Sequence, residues 1–122
     1  MRLRHVVSVL TLFLLSGAPA LAGVLRVVVV QTEDAAGYGK ALDQGNALLK
    51  SKGSSAVIRV WRARFAGPDT GAVVASVEYP SLEALARDDA RMASDPELRA
   101  WLQSLAKLRK IVSDSVYEEL VP

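Results

Sequence analysis

Four residues of this 122-residue chain have side chains suited to handling a small molecule: Arg59, Trp61, Glu78 and Tyr117. A guanidinium and a carboxylate within reach of each other can orient a polar group or pass a proton. They can equally form a strand-to-strand ion pair with no further role. Trp61, with Phe65 four residues on, offers flat apolar surface that suits an aromatic ligand or an interface between two copies. Tyr117 alternates with Val116 and supplies a hydroxyl donor. Arg59, Trp61, Glu78 and Tyr117 are therefore the candidate ligand pocket, and Trp61 and Phe65 the candidate dimer interface. No residue is assigned as catalytic.

Residue types that are missing narrow the chemistry further. Met1-Arg2-Leu3-Arg4-His5 is basic, Val6 to Leu15 is apolar, and Gly17 and Pro19 precede the small residues of Ala20-Leu21-Ala22. That is the pattern of a cleavable secretory signal peptide. Its apolar run falls short of the roughly 20 residues a membrane span needs, so no permanent anchor is expected. Cleavage before Gly23 would remove 22 of the 122 residues, among them Arg2, Arg4 and the single His. The mature domain would then be charge-neutral, with neither His nor Cys. Thiolate nucleophiles, Ser-His-Asp triads, His-ligated haem and nearly all zinc or copper sites drop out. No metal, cofactor or disulfide is expected, and neutrality argues against nucleic acid. Residues 23–122 make one domain, exported to the periplasm or beyond.

The elements that must position the candidates follow from periodicity. Val24 to Thr32 is a β-branched run interrupted by Arg26, which predicts a central strand buried on both faces. Glu33-Asp34 opens a helix that Gly53 closes. Ala56 to Phe65 and Gly71 to Tyr79 read as a hairpin around Gly67-Pro68-Asp69. Ser81 caps a second helix, on which Leu82, Leu85, Ala86 and Asp89 share a side; Arg87, Asp88, Asp89 and Arg91 read as a solvated helix face. Asp95-Pro96 kinks that helix, through a Ser94–Glu97 capping box or with Asp95 as cap. Leu98, Trp101, Leu102, Leu105 and Leu108 then form an apolar stripe. Ser113 to Leu120 is the last strand.

The order β-α-β-β-α-β predicts a ferredoxin-like α+β fold: a four-stranded antiparallel sheet in the order 4-1-3-2, with the helices on one face. Val73, Ala75, Val77 and Tyr79 belong under the helices with Ile58 and Val60. In that register Arg59 lies opposite Glu78, and Trp61 opposite Ser76, on the uncovered face; a one-residue slip would instead set Arg59 beside Tyr79. A bare face of this kind calls for a second subunit, so a homodimer is expected.

With these elements in place, Val77-Glu78-Tyr79-Pro80-Ser81-Leu82-Glu83-Ala84 and Ser94-Asp95-Pro96-Glu97-Leu98 resemble the dimeric α+β barrel superfamily. It includes NIPSNAP-like proteins, stress-responsive barrel proteins and antibiotic-biosynthesis-type monooxygenases. The resemblance spans Gly23 to Pro122 and implies two sheets closing into a barrel. It also implies a small-molecule pocket, either between sheet and helices or within the barrel. Several enzymes of that superfamily depend on a His that the mature chain lacks. The expected function is thus an exported homodimeric barrel protein that binds a small, largely apolar ligand or acts as a structural module. The alternative is a cofactor-independent monooxygenase or isomerase using Arg59, Glu78 and Tyr117. An enclosed pocket bordered by converging polar groups would favour a binder or enzyme over a structural module.

Overall fold

The computed structural model describes residues 23–121; the signal peptide expected over residues 1–22 lies outside the described residues. Strand β1 (Val24–Gln31) leads into helix α1 (Ala35–Ser51), followed by the hairpin β2 (Val57–Arg62) and β3 (Val73–Tyr79). Helices α2 (Leu82–Ser94) and α3 (Pro96–Ala106) then precede β4 (Lys110–Glu118). The sheet runs β2-β3-β1-β4, all pairs antiparallel, as the hydrophobic pattern predicts. Near-continuous apolarity in β1 matches its central place: Val28, Val29 and Val30 are all buried, although successive residues point to opposite faces.

Local signals set the helix ends. The Asp34 side chain accepts from the Gly37 N–H and opens α1; Gly53, at φ 85°, takes the left-handed turn after it. Ser81 accepts from the Ala84 N–H at the start of α2. The kink expected at Asp95-Pro96 is a full break. A residue before proline is pushed out of the helical region. Asp95 is accordingly extended, and its carboxylate accepts from the N–H groups of Glu97 and Leu98.

Tyr38, Leu42, Leu49, Ile58, Ala75, Leu98 and Leu105 form the core between sheet and helices. Trp101 completes it from α3. Its indole N–H donates to the Ala41 carbonyl at 2.9 Å, and its ring lies directly over Gly45 of α1. On the outer edge of β2, the Asn46 amide donates to the Ile58 carbonyl and accepts from the Ile58 N–H. That side chain satisfies backbone groups that an edge strand would otherwise present for pairing.

Three expectations need correction. The hairpin register is shifted by two residues, with Arg59 opposite Ser76 and Trp61 opposite Val74. The turn is the cause: a 3-10 turn over Gly67–Asp69 closes on the Ala63–Ala72 pair, and turn geometry fixes pairing downstream. A two-residue shift leaves every side chain on its expected face. Second, β2 ends at Arg62, so Phe65 lies in the loop, fully exposed. Third, Asp88 is buried at 1 % exposure instead of solvated. It accepts from the Ser54 hydroxyl and from Arg91, which brings it under the loop that follows α1.

Candidate functional site

On the uncovered face, the antiparallel register decides which candidates can meet. Arg59 reaches diagonally to Glu78, with Nη1 3.3 Å from Oε2, and both side chains are half exposed. Such pairs stabilise little because water screens them. The Trp61 indole N–H donates to the Ser76 hydroxyl at 2.7 Å. Tyr117 lies across Leu25 from Glu78. Two strand spacings separate it from Glu78, or about 10 Å, and three separate it from the β2 residues. The sheet therefore gathers Arg59, Trp61 and Glu78 on β2 and β3, while Tyr117 on β4 shares with Glu78 only an open cleft of about 390 Å³ at the end of the sheet. Between them the face is floored by small residues such as Val27, Val74, Ser76 and Ser115.

The helix side holds a different constellation. A cleft of about 260 Å³ opens between the sheet and the helices, with Met92, Trp101, Leu102, Leu105 and Ile111 in its wall. Arg26, the one charged residue of β1, projects to this side. Its Nε and Nη2 donate to the two carboxylate oxygens of Asp114 at 2.9 and 2.8 Å, and Nη1 donates to Asp89 at 3.2 Å. This fork-to-fork geometry is the strong form of an ion pair. The hydrogen bonds to Asp114 raise the Arg26 pKa above its ordinary value, and the same bonds hold the Asp114 carboxyl below its own. Burial pushes the neighbouring Tyr79 phenol up to about 12, with Asp88 adding to the effect. Tyr79 is thus a neutral donor and not a base near pH 7. Arg109 completes the polar lining; its Nη1 donates to the Tyr38 hydroxyl at 2.8 Å.

The chemistry open to such an arrangement is the orientation of a polar group. Fixed polar groups face an apolar cleft, and the side chains lining it include no Ser, Thr, Lys or His. Among the described residues, no three His, Cys, Asp or Glu side chains gather as they would around a metal ion. The residues were partly legible beforehand. Arg26 interrupts an apolar run, and Asp89 shares a helix side with Leu82 and Leu85. Asp114 carried no signal of its own.

The shifted carboxyls give a pH dependence. Asp114 ionises more readily folded than unfolded, so its contribution to stability is present above its unfolded pKa of about 3.9. It is lost as pH falls through the depressed folded value. Asp95 behaves alike, held down by the Leu98 N–H and by Lys52. The melting temperature should therefore fall as pH is lowered below about 4. Asp114→Asn should flatten that fall, as followed by circular dichroism; an unchanged slope would remove Asp114 from the account.

Sheet topology, helix placement and the cleft together define a small ferredoxin-like α+β domain. Its structural neighbours are NIPSNAP family proteins. The fold is similar to that of a NIPSNAP family protein from Agrobacterium tumefaciens str. C58, at 18% identity and a TM-score of 0.59, covering 81% of this chain and 90% of that one. It is equally similar to an uncharacterized NIPSNAP-like domain protein from Burkholderia xenovorans, at 15% identity and a TM-score of 0.60, covering 84% of this chain and 86% of that one. No family model and no curated protein matches the sequence.

Proposed function

We propose that this chain is an exported, homodimeric α+β barrel protein whose helix-side cleft holds a small, largely apolar ligand. The observation that carries the reading is the cleft itself. Arg26, Asp89, Asp114, Tyr79 and Arg109 come from five separate elements or junctions and converge on one apolar space of about 260 Å³. Polar groups converging on an apolar cavity are the ordinary form of a small-molecule site. A purely structural domain gains little from a guanidinium set among valines and leucines, since desolvating it is costly.

Export rests on the pattern of residues 1–22 and gives a mature chain beginning at Gly23. Dimerisation is supported by the uncovered sheet face, where Val57, Trp61 and Tyr117 are about half exposed. A two-fold axis would also let the Arg59–Glu78 pairs of two copies face one another. Light scattering should give twice the mature mass at micromolar concentration. Trp61→Asp should weaken association more than tenfold, in line with an aromatic anchor lost from an interface centre. A monomeric parent protein would end the barrel reading.

Native mass spectrometry tests the whole proposal. Protein taken from the exported fraction of its own host should appear as a dimer of chains starting at Gly23, carrying an extra small mass. Apo chains under gentle conditions, or chains starting at Met1, would contradict ligand binding and export respectively.

A further inference from the structure

The two cations that line the cleft are held differently. Arg26 is taken up by two carboxylates, and that cluster carries a surplus of negative charge. Arg109 has no carboxylate within 4 Å among the described residues. It is nonetheless fixed in place. One N–H donates to the Tyr38 hydroxyl, and the guanidinium carbon stands 5.7 Å from the centre of the Tyr38 ring. Tyr38 is completely buried, so its hydroxyl is a rigid anchor. Of the five N–H donors on a guanidinium, four remain for another group. Arg109 is thus a half-buried arginine oriented by a buried phenol; its charge reaches Asp114 and helps hold that carboxyl down, but no carboxylate touches it and its remaining donors are uncommitted. Its planar fork matches a carboxylate in particular.

Resting on the ligand-binding reading above, we infer that the ligand is a small apolar monocarboxylate, its carboxylate on Arg109 and its apolar body against Trp101, Leu105 and Ile111. The Arg26 cluster repels a second negative charge, which excludes dicarboxylates. At about 260 Å³ the cleft lies at the small end of ligand pockets and suits a molecule about the size of benzoate.

The test titrates the mature protein with benzoate and with its neutral isostere benzamide. Binding is followed through the Met92 and Ile111 methyl resonances and the Trp101 indole signal. Benzoate should bind at least tenfold more tightly than benzamide. Arg109→Gln should abolish that preference, and Tyr38→Phe, which keeps the charge but frees its anchor, should reduce it. Equal binding of the two probes, or a benzoate preference that survives Arg109→Gln, overturns the carboxylate while the cleft stands. If neither probe moves the cleft signals, the ligand-binding reading fails and this inference with it.

Discussion

Asp88→Ala is expected to lower the melting temperature by roughly 10–20 °C. The carboxylate is buried and is the shared acceptor of a short chain of hydrogen bonds. Ser54 donates its hydroxyl to Asp88 and accepts from the Ala56 N–H, while Arg91 donates from one helical turn further along α2. Asp88 thereby ties α2 to the connection between α1 and β2. Truncation removes the charge and leaves two partly buried donors without their acceptor. Losing one partner of a buried charged pair costs about 3 kcal/mol. In a domain this size each kcal/mol is worth about 4–8 °C. Asp88→Asn keeps the volume and should lose less. Calorimetry showing a drop below about 3 °C for Asp88→Ala would mean that the connection is held by packing alone.

Gly45→Ala should also destabilise, against the intrinsic preference of a helix. Alanine inside a helix is favoured over glycine by about 1 kcal/mol. Here, however, an added Cβ would stand 2.1 Å from the Trp101 ring. Relieving that overlap means moving an indole pinned by its hydrogen bond to Ala41, and overpacking of this kind costs about 1–3 kcal/mol or more. Set against that gain, the net loss should be up to about 2 kcal/mol by urea denaturation. Gly39 is the control on the same helix. Nothing lies within 4 Å of a Cβ there, so Gly39→Ala should stabilise by up to about 1 kcal/mol. Trp101→Leu in the Gly45→Ala background should recover much of the loss. If both glycine variants stabilise alike, Trp101 does not rest on Gly45.

Most of the architecture was legible because it follows from local pattern. The valine run of β1 demanded the middle of the sheet, and Pro96 demanded an interruption in the second helical segment. The register of β2 on β3 was not legible, because it is set by the geometry of the 3-10 turn at Gly67–Asp69, which composition does not specify. Nor was the burial of Asp88, which depends on Ser54, 34 residues earlier and in another element. The cleft was hidden for the same reason. Arg26 and Asp114 stand 88 positions apart, and only the pairing of β1 with β4 brings them together. The candidates named from residue type sit on the uncovered face, where their chemistry suits an interface as well as a ligand.

Those two faces make the central claim directly testable. Protein purified from its natural compartment should be compared with the same protein stripped of bound molecules by unfolding and refolding, using methyl resonances throughout. A ligand in the cleft predicts differences at Met92, Leu102, Leu105 and Ile111, with Val57 and Val74 unchanged. Differences confined to Val57, Val74 and the Trp61 indole would place the ligand on the uncovered face and contradict the cleft as the binding site.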